Sequence, residues 1–210
     1  MKTDDLIELL VKDPPPWRFR SVLGGAVAGG IIIAAILFFA GIGFRPDIFD
    51  ALASSRFLFK FVVTLSLALT AIGAALALGR PDGHFAPRAL MMATAPALLT
   101  VAVVLELLAL PQSQWLPRLV GVNARLCLTL IPVLAIGPLA CLLAALRQGA
   151  PSSPGLAGAV AGLAASGIAA TFYAAHCTDD SPLFVMTWYL IATLIVTMAG
   201  YLIGSRVLRW

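Results

Sequence analysis

The sequence predicts an all-α fold, a polytopic bundle of six transmembrane helices led by a short amphipathic N-terminal helix. Three observations carry that expectation. Of 210 residues, 60% are apolar and only 11% charged, against roughly 25% charged in a soluble domain. The apolar residues gather into six runs, each close to the ~20 residues a helix needs to cross the hydrocarbon core. Turn-forming clusters rich in Pro, Gly, Asp and Ser separate the runs. Little chain is left over, which excludes a separate soluble domain of ordinary size. The formal net charge of +4 is no nucleic-acid signature, because the basic residues are scattered at span ends. The lipid bilayer is the first partner this composition implies, and direct nucleic-acid binding is not expected.

The chain opens on a candidate helix. Thr3 is placed to cap it, and Asp4 and Asp5 favour its first turn. Pro14-Pro15-Pro16 ends it. Asp4, Glu8 and Lys12 share one face at a spacing of four, and Glu8 with Lys12 is a favourable pair. Leu6, Ile7, Leu10 and Val11 form the opposing stripe, with Leu9 beside it. A helix this short is marginal alone in water, and such a stripe fits a groove in a partner protein. Its acidic face argues against lying on an anionic membrane surface. Trp17, Arg18 and Arg20 then read as an interfacial anchor. The opening lacks the basic start and apolar core of a cleavable signal, so the first apolar run is expected to stay as a span. The division is a cytoplasmic partner-binding segment at 1–20 and a six-helix membrane domain at 21–210.

The spans are expected at 21–43, 57–79, 88–110, 126–146, 155–175 and 184–204. Arg45-Pro46-Asp47, Arg80-Pro81-Asp82-Gly83, Pro111-Gln112-Ser113 and Pro151-Ser152-Ser153-Pro154 break them. The last break, Asp179-Asp180-Ser181-Pro182, reads as a helix start with Ser181 as N-cap and Pro182 at the first helical position. Pro96, Pro132 and Pro138 can kink spans three and four. Gly25/Gly29, Ala26/Gly30, Gly158/Gly162/Ser166 and Gly200/Gly204 each line one helix face and suit close helix packing. Of the 14 Lys and Arg residues, nine fall on the side of the N-terminus and five on the other. That bias favours both termini in the cytoplasm.

Few side chains in the spans carry chemistry. Lys60 falls about one turn into span two, and Glu106 about one turn from the end of span three. Both read as interfacial anchors, Lys60 by snorkelling its stem outward. With no charge at a midplane, an ion-coupled transport path is disfavoured. Cys127 opens span four and Cys177 follows span five beside His176, so both thiols belong to the outer side. Cys141 lies 14 residues beyond Cys127, about 21 Å deeper along the helix, and cannot meet Cys177. Cys127 and Cys177 can form a disulfide or a two-thiol sensor in an oxidising compartment, provided their Cα atoms lie within about 7 Å. His176 can lower a neighbouring thiol pKa or join both thiols as a soft metal ligand. A structural disulfide, or two unrelated packing residues, is the competing reading. His84 is a solvated loop histidine. No nucleophile triad, paired carboxylate, zinc-protease motif or phosphate loop is present, so neither an enzyme nor a cofactor is expected.

Four stretches together resemble a known family. They are Met1-Lys2-Thr3-Asp4-Asp5-Leu6-Ile7, Phe44-Arg45-Pro46-Asp47, the long stretch Tyr173-Ala174-Ala175-His176-Cys177-Thr178-Asp179-Asp180-Ser181-Pro182-Leu183-Phe184-Val185-Met186-Thr187-Trp188-Tyr189, and the closing Leu208-Arg209-Trp210. They look like the NrsF family, bacterial inner-membrane anti-sigma factors that negatively regulate an extracytoplasmic-function sigma factor. The resemblance implies six spans, an N-terminal segment that sequesters the sigma factor, and two periplasm-facing stress-sensing cysteines that map onto Cys127 and Cys177. Family members often carry an aromatic-rich stretch before the span-four cysteine, where this chain has Asn123-Ala124-Arg125-Leu126. The second reading is a small membrane transporter or channel, which requires a polar path that the spans do not supply.

Overall fold

The computed structural model describes residues 16–80 and 85–209. The N-terminal segment from Asp4 to Val11, the loop residues Asp82 and His84, and Trp210 lie outside the described residues. Among the described residues there are helices and no strands. Six helices are long and apolar enough to cross a membrane. They are α1 (Pro16–Gly41), α2 (Ser55–Leu78), α3 (Phe85–Ala109), α4 (Ala124–Leu146), α5 (Pro154–Ala174) and α6 (Pro182–Val207). Each coincides with an expected span to within a few residues.

The helix α5 forms the centre. Its crossing segment is 67% buried, against 17% for α3. The cause is composition, because α5 is dominated by Gly and Ala, whose small side chains let neighbours close in on every side. It packs on α2, α4 and α6, while α1 leans on α4 and α3 leans on α2. The expected glycine stripes meet between α5 and α6. A Cβ on Gly158 would strike the Gly200 carbonyl and stand 2.8 Å from the Gly204 Cα. One on Gly162 would stand 2.7 Å from the Thr197 Cα. The α1 stripe is only half an interface: Gly30 abuts Pro138 of α4, whereas Gly25 faces open space.

Proline acts unequally. Pro96 has no N–H for the Met92 carbonyl, and α3 is interrupted at Ala93 between Phe85–Met92 and Thr94–Ala109. Pro132 and Pro138 are carried inside α4 without interrupting it. Pro182 opens α6 and Ser181 precedes it, as expected, but the Ser181 hydroxyl makes no capping bond. A π-helical turn, Val185–Tyr189, follows at once.

Alternating spans gather the α1–α2, α3–α4 and α5–α6 connections at one end, here termed the thiol end. At the opposite end the Phe19 ring lies over Gly79 and Gly149, where even a methyl group would collide with it. The Ala150 amide donates to the Gly79 carbonyl there at 3.3 Å. The root of α1 is thereby seated on two inter-helix connections.

Candidate functional site

Lys60 does not snorkel. Its side chain is 1% exposed, and its ammonium lies 2.6 Å from Asp180 Oδ1. It also donates to the Cys177 carbonyl at 2.8 Å. The interfacial-anchor reading fails because the α5–α6 connection offers a carboxylate and a carbonyl within reach, so the charge is compensated inside the protein. Arg45 converges on the same point from the α1–α2 connection. Its Nη1 donates to Asp180 Oδ2 at 2.9 Å and to the Cys177 carbonyl at 3.3 Å. Its Nε and Nη2 pair with both oxygens of Asp47 at 2.7 Å. That bidentate grip holds the Asp47 carboxyl below its usual value and raises the Arg45 guanidinium further. Both cations also lie near the Phe57 ring, 5.5 Å and 5.3 Å from its centroid. Arg45, Lys60, Asp180 and the Cys177 carbonyl make a clasp joining the first two spans to the last two.

Glu106 is likewise no surface anchor. It is 5% exposed. Its Oε2 accepts from the Ser181 hydroxyl at 2.7 Å and from the Leu183 amide at 3.2 Å. Its Oε1 lies 3.5 Å from Arg118 and 3.6 Å from Arg56. A carboxylate at the start of α6 satisfies an amide that the helix leaves free and faces the positive end of its dipole. Glu106 therefore takes the capping role expected of Ser181, whose hydroxyl serves as a donor instead. Glu106→Gln keeps one acceptor but loses the charge, and is expected to cost about 1–2 kcal/mol, read as a lower unfolding temperature of the detergent-solubilised protein.

Asp179 binds the third connection. Its Oδ2 accepts from the Val122 and Asn123 amides at 3.0 and 2.8 Å and from Asn123 Nδ2 at 2.9 Å. Gly121 makes this approach possible. It holds φ +60°, and a side chain there would collide with Phe184 and Asp179.

The two thiols lie under this roof. Cys127 and Cys177 are both fully buried, both free, and members of one core cluster with Tyr173, Phe184 and Tyr189. The Asn123 carbonyl accepts from the Cys127 amide at 2.8 Å and from the Tyr173 hydroxyl at 3.3 Å. The same hydroxyl interacts with the Cys177 thiol. Burial pushes the Cys177 thiol above its usual value, and the Lys60 ammonium offsets only part of the rise. The His176 Nδ1 meets the Gly43 carbonyl at 3.1 Å, and the imidazole is not among the groups that shift the Cys177 thiol. Among the described residues no three His, Cys, Asp or Glu side chains converge to hold a metal. His176 tethers the α5–α6 connection to the end of α1. Cys141 faces Gly29 of α1, as its depth in α4 requires.

The clasp and the Glu106 cap escaped sequence reasoning, which treated Lys60 and Glu106 one at a time. The usable signal was sidedness. Two buried-prone cations and the acidic Asp179-Asp180 pair are all assigned to one end of the bundle, and opposite charges at one depth in lipid find each other.

Comparison with known proteins points to the family that the four sequence stretches resemble. The family model NrsF, described as negative regulator of sigma F, matches residues 10–210. The anti-sigma-F factor NrsF of Caulobacter vibrioides is 34% identical over 219 residues, covering 100% of both chains. The probable anti-sigma-F factor NrsF of Azospira oryzae is 32% identical over 220 residues, again with 100% coverage of both. No solved structure matches the chain.

Proposed function

Because this chain belongs to the NrsF family, we propose that it is a membrane anti-sigma factor that holds an extracytoplasmic-function sigma factor through its N-terminal segment at the inner face of the bacterial inner membrane. Cys127 and Cys177 lie buried at the periplasmic end of the bundle and sense oxidants or thiophilic metals. Oxidation joins the two sulfurs and passes two electrons to the oxidant. A thiophilic metal instead displaces the thiol protons. Either event moves α4 relative to the α5–α6 connection, since a disulfide draws its Cα atoms to about 5.5–6 Å.

One observation carries the coupling. The residue whose sulfur reacts is the residue whose carbonyl is gripped by Arg45 and Lys60. A shift of Cys177 therefore acts directly on the α1–α2 connection and on α2. The helix α1 runs from there to the root of the N-terminal segment, where Phe19 rests on Gly79 and Gly149. The transporter or channel reading gains nothing from the buried charges, which sit together at one end and neutralise one another.

The test is transcription from a promoter of the partner sigma factor. Wild type should respond to oxidant, and Cys127→Ser/Cys177→Ser should stay repressed under the same dose. An unchanged response in the double mutant would overturn the sensing role. Deletion of residues 1–16 should abolish partner binding and leave transcription constitutively on. A peptide of the same residues should capture the sigma factor, and Leu6→Ala/Leu10→Ala should not.

A further inference from the structure

Two short pieces of chain close the thiol end and hold each other. Residues 121–123 lead into α4 and Cys127, and residues 178–180 follow Cys177. Asp179 fastens the two pieces through its backbone and its side chain. Its backbone carbonyl accepts from the Cys177 thiol at 3.8 Å. Its side-chain Oδ2 accepts from the Val122 and Asn123 amides and from Asn123 Nδ2. Asn123 carries the link to the second thiol, since its carbonyl accepts from the Cys127 amide. It also donates through Nδ2 to the Thr178 hydroxyl at 2.9 Å. A Cβ on Gly121 would stand 2.8 Å from the Asp179 Cγ, so the carboxylate closes against bare backbone. The closure is thin. Val122 and Thr178 are exposed and Asn123 and Asp179 half-exposed, while both thiols beneath them are fully buried. Between Cys177 and Thr178 the chain passes from fully buried to exposed in one residue. Backbone hydrogen bonds this close to solvent open at a fraction of the cost of global unfolding.

We propose that residues 121–123 and 178–180 form a gate over the thiol pair, with Asp179 as its latch, and that opening of this gate sets how fast a reagent from the aqueous side reaches Cys127 and Cys177. The regulatory meaning of the gate rests on the thiol-sensing reading above. Asp180 holds the other side of the same connection, through Lys60 of α2 and Arg45 of the α1–α2 connection. Loss of the Asp179 contacts therefore frees the α4 side while the clasp stays shut. When opening and closing are fast, buried groups react in proportion to the open fraction. A weaker latch then speeds both thiols by a similar factor and leaves a cysteine elsewhere unaffected. Cys141 is that reference, because it lies 14 residues beyond Cys127 in α4 and faces Gly29 of α1.

The experiment labels the full chain in nanodiscs with N-ethylmaleimide and reads each cysteine by peptide mass spectrometry. Asp179→Ala removes the latch and should speed labelling of Cys127 and Cys177 by about tenfold or more, the effect of losing charge-assisted hydrogen bonds. Asp179→Asn retains a neutral acceptor and should give an intermediate rate. Cys141 should label at the wild-type rate in both variants. A sulfonated methanethiosulfonate, confined to water by its charge, should show the same acceleration at Cys127 and Cys177. Acceleration of all three cysteines alike means a loosened bundle, and unchanged rates at Cys127 and Cys177 mean a different cover; either result overturns the gate. Acceleration by N-ethylmaleimide alone overturns entry from the aqueous side. Asp179→Asn decides the matter should Asp179→Ala fail to fold. In cells, the oxidant dose that half-induces transcription should fall in Asp179→Asn. Faster labelling with an unshifted dose overturns the sensing reading and leaves the gate standing.

Discussion

Replacing Asp180 by Ala is expected to destabilise the folded protein by about 3–5 kcal/mol, more than any other single change in the clasp. Lys60 is 1% exposed, and its ammonium sits 2.6 Å from that carboxylate. Without it the ammonium retains the Cys177 carbonyl and the Phe57 ring, which leaves a buried charge without its counter-charge. Arg45 suffers less, because Asp47 still pairs with it. The double substitution Lys60→Met/Asp180→Leu removes both charges and should recover most of the loss. Denaturant titration of the solubilised protein separates the two outcomes. If the double variant is as unstable as Asp180→Ala, the carboxylate matters for something other than Lys60. In cells, Asp180→Ala should raise basal transcription without any oxidant, since it opens the contact that the thiols are proposed to control.

The second large effect belongs to Gly158. Gly158→Val places a branched side chain against the Gly200 carbonyl and the Gly204 backbone, where nothing flexible can give way. Separation of α5 from α6 is expected to cost about 3 kcal/mol. Gly25→Val has open space around it and should leave the unfolding midpoint of the solubilised protein close to wild type. Equal losses at the two positions would mean that helix propensity, not packing, governs both.

These two sites show how far the sequence can be read. The six spans were legible because lipid imposes a length and a composition on each of them. The glycine stripe of α5 and α6 was legible as a packing face. Its α1 counterpart was read equally well and is only half used, since spacing shows that a face is smooth but not which neighbour occupies it. The positions of Cys127 and Cys177 at one end followed from counting spans. Their burial did not, because it depends on Asp179 reaching the Val122 and Asn123 amides across 57 and 56 residues of chain. Lys60 was misread for a related reason. A lysine one turn inside a span has two places to put its charge, and the choice turns on whether a carboxylate from another helix stands nearby. Glu106 and Ser181 exchanged their expected parts in the same way. The Ser-Pro signature correctly located the start of α6, while the group that satisfies that start comes from α3.

The acceptor that Arg45 and Lys60 share at position 177 is a peptide oxygen. Every amino acid supplies it. Exchanging the sulfur for another side chain therefore alters the proposed detection while leaving the grip in place, and altering Asp180 does the reverse. The proposed detection and the observed grip occupy one residue yet are genetically separable. On the proposed reading, a lineage can lose, retune or replace the sulfur there without having to rebuild the contacts of Arg45 and Lys60 with the backbone.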